Sequence, residues 1–335
     1  MTRTAIVAGA AGFLGSHLVE SLLADDWNVV GVDDLSTGSI VNVRSFRKDP
    51  RFRFLKRDLT KRVRLPAAEA IFHLASPASP PHYQRDPLAC LRVNSFGTGQ
   101  LAEHAHASGA RLFLASTSEV YGDPEVHPQP ESYFGHVNPN GPRSCYDEGK
   151  RYAEALVAAW EREKGLDVRI ARIFNTYGPH MALDDGRVVT QFLVQGFRGE
   201  PLTVHGEGRQ TRSFCYVSDL IAGFRRLFDS SVKGPVNLGN PLTEMTVLEL
   251  AEKVRELTGG RSTLTHIQRG QDDPERRRPD IQRAKELLGW EPKVPLAEGL
   301  QRTADDVREQ LARASRAAAR TSRRASEVPP TQGGP

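Results

Sequence analysis

Short, nearly continuous apolar runs alternate along the first half of the chain with longer segments in which apolar residues recur at helical spacing. Such runs predict strands that are buried on both faces, and the longer segments predict helices that cover a parallel sheet. The predicted strands span residues 4–10, 28–34, 52–58, 70–76, 111–117 and 167–175, and the predicted helices span 13–23, 87–107 and 144–164. Strands that alternate with helices in this way indicate an α/β fold.

The pattern loosens after residue 175, where turns rich in Gly and Pro separate shorter elements. Further helices are predicted at about residues 218–228, 246–257, 280–288 and 296–312, with short strands between them. We therefore expect a first domain over residues 1–175, a smaller α/β lobe beside a cleft over residues 176–312, and a tail over residues 313–335.

The composition is that of a globular protein, with 39% hydrophobic and 26% charged residues. No apolar run approaches the roughly 18 residues of a membrane span, and no signal-peptide pattern precedes the first strand. Cys90, Cys145 and Cys215 lie far apart and outside any CxxC motif, as is typical of a reducing compartment. We therefore expect a cytoplasmic protein without a membrane partner. The 10 histidines show no metal-ligand spacing, so no metal is expected.

The net charge of +4 is located at the C-terminal end. Residues 313–335 contain five arginines, one glutamate and almost no large apolar side chains, whereas basic and acidic residues balance in the rest of the chain. This composition predicts a disordered basic tail. Arginines without interleaved aromatic residues are weak support for nucleic-acid binding, so we expect no nucleic-acid partner.

A glycine-rich turn closes the first predicted strand and opens the first helix. Gly9, Gly12 and Gly15 in "GAAGFLG" permit a tight turn and a close approach of the backbone to a pyrophosphate at the helix N-terminus. Asp33 and Asp34 end the second strand, where a carboxylate binds an adenosine ribose and repels a 2′-phosphate. The pattern predicts a Rossmann-type doubly wound parallel sheet that binds NAD in preference to NADP.

The stretch "CYDEGKRYAE" places Tyr146 four residues ahead of Lys150. Residues with this spacing share a helix face, so the ammonium of Lys150 could lower the phenol pKa of Tyr146 and make it a base. The alternative is an exposed aromatic residue beside a solvated lysine. The glycine turn earlier in the chain favours the catalytic interpretation.

The glycine spacing and the Tyr–Lys pair together resemble the short-chain dehydrogenase/reductase superfamily in its extended form. The resemblance implies that Tyr146 and Lys150 are the catalytic pair and that Asp58 contacts adenine. It also implies a homodimer in which residues 87–107 and 144–164 pair with their symmetry mates. The remaining residues that it places along the cofactor are Phe13, Leu14, Leu59, Ala75 and Asn94.

Several longer motifs make the resemblance more specific. "STSEVYGDPEVHPQPESYFGHVNP", "RSCYDEGKRYAE", "RIARIFNTYGP", "QTRSFCYVSDL" and "DDPERRRPDI" are similar to segments of the UDP-glucuronate decarboxylase family, over about residues 4–311. The related 4,6-dehydratases have an Asp at the position of Ser118, and the 4-epimerases usually lack the glutamate at the position of Glu119. A 4-epimerase or a 4,6-dehydratase remains the alternative within enzymes, and a non-catalytic NAD sensor is the alternative outside them.

The chemistry of such a reaction assigns roles to the candidate residues. Oxidation at C4 turns a glucuronate into a β-keto acid that loses CO₂, and reduction at C4 then gives UDP-xylose. Tyr146 is expected to act as the base and Thr117 to bind the sugar hydroxyl, with Ser118 and Glu119 near C5 and the carboxylate. The resemblance gives Arg277 the role of binding the carboxylate or of polarising the neighbouring oxygen. The expected contacts to the rest of the UDP-sugar are Tyr83, Asn175, Arg187, Arg212 and Tyr216.

Three assignments stay open at this stage. The working arginine could be any of residues 276–278, or these could form a solvated basic cluster. Arg187 could serve a structural ion pair instead of a phosphate. Glu119 could be an exposed residue after a strand.

Overall fold

The computed structural model describes the backbone of residues 3–326 and the side chains of residues 3–319. Its centre is a seven-stranded parallel sheet with the order β11-β6-β5-β4-β1-β2-β3. The strands of this sheet are β1 (Thr4–Ala8), β2 (Asn28–Asp33), β3 (Phe52–Lys56), β4 (Ala70–His73), β5 (Arg111–Thr117), β6 (Val168–Ile173) and β11 (Pro235–Leu238). The strand order reverses beside β1, which creates the crevice where ligands of doubly wound sheets bind.

Helices cover both faces of the sheet. They are α1 (Phe13–Ala24), α2 (Pro80–Arg85), α3 (Pro87–Arg92), α4 (Thr98–Ser108), α5 (Ser144–Lys164), α6 (Val188–Arg198), α7 (Val217–Asp229), α8 (Val247–Leu257), α9 (Gln282–Leu288) and α10 (Leu296–Ser326). A π-helical turn, Val93–Gly97, joins α3 to α4. The helix predicted over residues 87–107 is therefore present, with a local change of helix type within it.

The side chains of β1 show why a continuous apolar run is needed at the centre of the sheet. Ala5 and Val7 belong to the hydrophobic core on one face, and Ile6 and Ala8 belong to the core on the other face. All four are fully buried. Each fully buried Val or Ile side chain contributes about 1.5–3 kcal/mol to the free energy of unfolding, so both faces drive the formation of the sheet.

Three small sheets lie in the C-terminal half. They join β10 (Cys215–Tyr216) to β7 (Thr176–Tyr177), β13 (Leu264–Ile267) to β8 (Leu202–His205), and β12 (Glu244–Thr246) and β14 (Arg276–Arg277) to β9 (Thr211–Ser213). This part of the chain contains the shorter strands and helices that the sequence predicts, and the division into a first domain and a lobe stays a prediction. The edge strand β11 nevertheless belongs to the central sheet, and α7 packs on α1, so the second half also completes the first domain.

The C-terminal end differs from its prediction. The last helix continues to Ser326, so the disorder predicted from residue 313 is wrong for residues 313–326. The alanine-rich run that follows Arg313 lacks large apolar residues, but alanine and arginine are strong helix formers and extend the amphipathic helix. Residues 327–335 of the predicted tail lie outside the described residues.

Neither a membrane-spanning helix nor a metal cluster is found among the described residues. Among residues 3–326, no helix combines the length and the apolar character that crossing a lipid bilayer requires. In the same part of the chain, no group of His, Cys, Asp and Glu side chains is arranged to hold a metal ion.

Candidate active site

The glycine turn after β1 is as tight as the sequence predicts. Gly9 has a φ of +84°, and a Cβ on Gly15 would lie 1.9 Å from the Gly9 carbonyl oxygen. Gly12 precedes the first residue of α1, and no side chain caps that helix end. The first N–H groups of a helix have no partners within it and bind anions. The turn therefore fits the pyrophosphate of a dinucleotide.

Asp33 ends β2 at the rim of the same turn. Its carboxylate accepts hydrogen bonds from the backbone N–H groups of Ala11 at 2.9 Å and Leu35 at 2.8 Å. Burial raises the pKa of Asp33 above its usual value, and the two N–H groups oppose that shift. Asp33 thus fixes the glycine turn and the loop after β2, and it also lines the cleft where a ribose is expected.

A single cleft of about 710 Å³ runs from the glycine turn to the carboxyl ends of β5 and β6. The structure brings most of the predicted site residues to its walls. They are Gly9, Gly12, Phe13, Leu14, Gly15, Asp33, Asp58, Leu59, Ala75, Tyr83, Thr117, Ser118, Glu119, Tyr146, Lys150, Asn175, Arg187 and Arg212.

Asn94, Tyr216 and Arg277 are not among the residues that line the cleft. Asn94 lies directly behind it, where its amide donates to the carbonyl of Cys90 at 2.9 Å and to the hydroxyl of Ser76 at 3.0 Å. The ring of Tyr216 packs against that of Tyr177, and its contact with a substrate stays a prediction.

Tyr146 and Lys150 lie one above the other in the first turns of α5. They are 5% and 3% exposed, so the alternative of a solvated surface pair is wrong. The Lys150 ammonium donates to the carbonyl of Ala115 at 2.9 Å and lies 5.9 Å from the centre of the Tyr146 ring. The ring of Tyr83 stacks on that of Tyr146 at 5.2 Å between centroids and 1° between planes.

The electrostatics of this pair differ from the expectation. Burial raises the pKa of Tyr146, although its hydrogen bond with Thr117 acts in the opposite direction. Burial also lowers the pKa of Lys150 to about 8. The predicted lowering of the Tyr146 pKa by Lys150 is therefore not seen, because transfer of the phenol out of water outweighs the charges around it.

Glu119 lies in a short 3₁₀ turn, Ser118–Tyr121, that directly follows β5. Its Oε2 accepts from Nη2 of Arg143 at 2.5 Å and from Nη2 of Arg277 at 3.3 Å. Burial favours the neutral form of Glu119, but the two guanidinium groups hold its pKa at about 2. Its side chain is 18% exposed, so the alternative of a freely exposed glutamate is wrong.

Arg277 is the buried arginine of the "RRR" run. It is 1% exposed and donates to the backbone carbonyls of Ser118 and Gly122 as well as to Glu119. Arg276 is exposed. The structure thus connects Arg277 to the Ser118–Glu119 segment from behind the cleft, and the predicted grip on a carboxylate stays a prediction.

Two arginines line the part of the cleft beyond Tyr146. Arg187 forms a bidentate ion pair with Asp185, with both N···O distances at 2.6 Å. Arg212 donates to Asp273 at 2.9 Å. Both alternatives for Arg187 therefore remain compatible with the structure, since the ion pair leaves its guanidinium at the cleft wall.

Two residues of the site, Arg143 and Asp147, were not predicted from the sequence. Arg143 precedes α5 and lines the cleft, and Asp147 is buried directly after Tyr146. Burial and the charge of Glu119 raise the pKa of Asp147 to about 8. The position of Arg143 about one helical turn before Tyr146 is the signal in the sequence that points to it.

This geometry agrees with what is found among known proteins. Residues 5–239 match the family described as the NAD dependent epimerase/dehydratase family, and the chain belongs to that family. Within it, the chain is 50% identical over 306 residues to UDP-glucuronic acid decarboxylase 1 of Xenopus tropicalis, a match that covers 91% of this chain and 72% of the relative. It is 51% identical over 307 residues to UDP-glucuronic acid decarboxylase 3 of Arabidopsis thaliana, with 91% and 89% covered. The resemblance stated from the motifs is thereby confirmed.

Solved structures show the same fold. UDP-glucose 4-epimerase from Thermotoga maritima superposes with a TM-score of 0.83 at 29% identity, over 92% of this chain and 99% of that one. UDP-glucuronic acid 4-epimerase from Bacillus cereus, in complex with UDP-glucuronic acid and NAD, gives a TM-score of 0.83 at 26% identity, with 92% and 99% covered. The predicted Rossmann-type sheet is confirmed, and binding of NAD is supported.

Proposed function

We propose that this protein is a UDP-glucuronate decarboxylase that converts UDP-glucuronate to UDP-xylose and CO₂. The observation that carries the proposal is the ionised Glu119 held between two arginines next to Ser118, within the cleft that also holds Tyr146. The decarboxylase relatives, at about half identity over nine tenths of the chain, support the same reaction.

The glycine turn, Asp33 and Asp58 would hold NAD, with Asn94 fixing the cleft wall from behind. When bound, NAD takes two electrons from C4 and later returns them, so the reaction has no net redox change and the cofactor stays bound. The cleft wall is fitted to a polar ligand, because the hydroxyl of Tyr83 has no hydrogen-bond partner among the described residues.

Tyr146 accepts the proton of the C4 hydroxyl as a phenolate, which the ammonium of Lys150 and the positive charge of bound NAD would stabilise against the effect of burial, while Thr117 binds the same oxygen. The C4 ketone makes the substrate a β-keto acid. The bond between C5 and C6 then breaks with loss of CO₂, and its electron pair moves into a C4–C5 enolate. Protonation at C5, which Glu119 assists through water, and reduction at C4 give the pentose. Because the pKa of Glu119 is about 2, it acts by orienting water and charge and not as a neutral acid.

Incubation of the protein with UDP-glucuronate labelled with ¹³C in the carboxyl group tests the proposal. We expect loss of the label as CO₂ and formation of UDP-xylose without consumption of added NAD, both followed by NMR. Label retained in a C4-inverted sugar would assign the protein to the 4-epimerases, and an unchanged sugar would favour a non-catalytic NAD-binding protein.

We also propose that the protein is a homodimer. Leu88 and Leu91 on α3, Phe96 in the π-helical turn and Tyr152 on α5 are large apolar residues that are 39–63% exposed, and they lie on the helices predicted to pair. The elements that carry these residues pack against one another, and large exposed apolar residues on adjoining helices are typical of an isologous interface. Sedimentation of the wild type and of Phe96→Glu measures this: the wild type should be a dimer and the variant a monomer. A monomeric wild type would exclude it.

The cytoplasmic location is likewise a proposal. It rests on Cys90, Cys145 and Cys215, which are all buried free thiols. Fractionation of the native host, with detection of the protein by antibody, tests the location.

A further inference from the structure

We propose that Arg143 binds the C6 carboxylate of the substrate and thereby sets the preference for a uronate over a sugar without that group. The inference rests on the proposed function. Arg143 lines the cleft together with Tyr83, Glu119 and Tyr146, whereas Arg277, the arginine to which the sequence assigned this role, does not.

The donors of Arg143 are only partly used within the protein. Its Nη2 donates to Glu119 at 2.5 Å, and this is its one hydrogen bond to a described residue. Its Nη1 lies 3.8 Å from Oδ1 of Asp273, beyond hydrogen-bond distance. Its Nε is buried and lies 3.8 Å from Oδ2 of Asp147, so the donors left for a ligand are those of the two Nη atoms. Asp273 already accepts from Arg212 at 2.9 Å. A guanidinium with unused N–H groups at a cleft wall matches the paired oxygens of a carboxylate.

Both Nη atoms of Arg277, in contrast, already donate hydrogen bonds within the protein. Its Nη1 donates to the carbonyl of Ser118, and its Nη2 donates to the carbonyl of Gly122 at 2.8 Å and to Glu119. The side chain is 1% exposed. Arg277 therefore positions the Ser118–Gly122 segment, and a substrate could reach it only by breaking these contacts.

The charges around Arg143 also favour an added anion. The guanidinium groups of Arg143, Arg212 and Arg277 surround the carboxylates of Glu119 and Asp273. Arg269, which also pairs with Asp273, and Glu275, which pairs with Arg269, add one positive and one negative charge and leave the balance unchanged. The remaining carboxyl group, on Asp147, has its pKa raised to about 8 by burial and by Glu119, so it is mostly neutral at pH 7. One carboxylate from the substrate would balance the cluster.

The position along α5 agrees with the chemistry. Arg143 is the residue before α5, and Tyr146 lies in the first turn of that helix. A sugar whose C4 hydroxyl contacts Tyr146 carries its carboxylate on the adjacent carbon, C5. The carboxylate must therefore lie within one helical turn of Tyr146, which is where the free donors of Arg143 are.

Binding of two ligands to chemically inactive protein tests the assignment. UDP-xylose differs from UDP-glucuronate by the absence of the C6 carboxylate, so the ratio of the two dissociation constants isolates that group. Calorimetric titrations of NAD-loaded Tyr146→Phe and of Tyr146→Phe/Arg143→Gln give this ratio. We expect Arg143→Gln to weaken UDP-glucuronate about 10- to 100-fold, as for the loss of charge-assisted hydrogen bonds, and to change UDP-xylose less than about twofold.

Two further variants complete the design. Arg143→Lys keeps the charge without the fork and should weaken UDP-glucuronate by an intermediate factor, and it serves as the folded variant if Arg143→Gln does not fold. Arg162→Gln, an exposed arginine in the last turn of the same helix, should change neither ligand.

Equal weakening of both ligands, or no weakening of either, would overturn the proposal. The same titrations detect failure of the proposed function independently. In that case Tyr146→Phe with Arg143 intact would bind UDP-glucuronate no better than it binds UDP-glucose, and the wild type would release no CO₂.

Discussion

Backbone groups form one end of the cleft, and charged side chains form the other. At the dinucleotide end, the predicted pyrophosphate site consists mainly of backbone atoms. Three glycines in one short stretch form the turn, and the uncapped N-terminus of α1 supplies the N–H groups. At the sugar end, the site consists of charged side chains. Glu119 is held by Arg143, which is 24 positions away in the chain, and by Arg277, which is 158 positions away.

This difference has a physical cause. A backbone turn is a local structure that a few neighbouring residues specify, whereas an ion-pair cluster needs several elements to be brought together first. Substitutions at the two ends of the cleft should therefore have different consequences. A change at the dinucleotide end should act on cofactor binding, and a change at the sugar end should act on catalysis and on stability together.

The largest effect is expected where the two ends meet, at Tyr146. Tyr146→Phe removes the hydroxyl that accepts the C4 proton, so the rate of CO₂ release should fall by about 10²- to 10⁴-fold, the usual worth of a general base. The loss is measured with the carboxyl-labelled substrate. Tyr152→Phe, on the same helix but 52% exposed, is the matched control and should retain its rate. A Tyr146→Phe protein with undiminished turnover would separate this residue from the chemistry.

The next effect tests the backbone character of the dinucleotide end. Gly15→Ala places a Cβ 1.9 Å from the Gly9 carbonyl oxygen, so the turn must open. Overpacking of about 1–3 kcal/mol corresponds to a 5- to 150-fold loss of NAD affinity if it falls on the binding conformation. Fluorescence titration with NADH measures it.

Gly270→Ala is the control for this substitution, because no atom lies within 4 Å of the added Cβ. It should bind NADH like the wild type. If Gly15→Ala did so as well, the turn would have to tolerate a side chain, and the close-approach argument would be wrong.

An effect of similar size, but on stability, is expected at the sugar end, from Glu119→Gln. The substitution leaves Arg143 and Arg277 without their shared carboxylate, and breaking a buried pair costs about 3–5 kcal/mol. Because the Glu119 side chain keeps 18% exposure, the free energy of unfolding should fall by less, about 2–3 kcal/mol, measured in urea. Glu125→Gln, an exposed change a few residues away, should have no such effect.

The difference in the free energy of unfolding between the wild type and Glu119→Gln should depend on pH, because it depends on the ionisation of Glu119. The folded pKa of about 2 lies below the usual value of 4.5, so the stabilisation is fully present above about pH 4.5 and is lost as the pH falls toward 2. The difference in stability between the wild type and Glu119→Gln should narrow over that interval. A difference that stayed constant down to pH 2 would show that the carboxylate charge is not its cause.

The smallest effect is expected at Arg276, next to the buried Arg277. Arg276 is exposed, so Arg276→Gln should change the free energy of unfolding by about 0.5 kcal/mol or less and leave CO₂ release unchanged. Arg277→Gln, in contrast, should impair both. Equal behaviour of the two variants would mean that residues 276–278 act as a general basic cluster.

The α/β fold, the strand and helix positions in the first half and the dinucleotide turn could be predicted from the sequence, because each depends on residues that are close in the chain. It also indicated Tyr146 with Lys150 and the Ser118–Glu119 segment. Features that depend on contacts between distant parts of the chain could not be predicted as well. The seventh strand, β11, comes from the second half of the chain, and α10 continues through residues whose composition predicts disorder.

Which arginine lines the cleft and which is buried behind it follows from the folded structure. The sequence offers Arg143 and residues 276–278 as equivalent cations, but their burial and hydrogen-bond partners differ once α5, β5 and β14 meet. The packing of these elements also sets the pKa values of the site. Burial raises the pKa of Tyr146, while two guanidinium groups keep Glu119 ionised. Charge and solvation depend on the distances among all neighbouring groups, and those distances exist only in the folded chain.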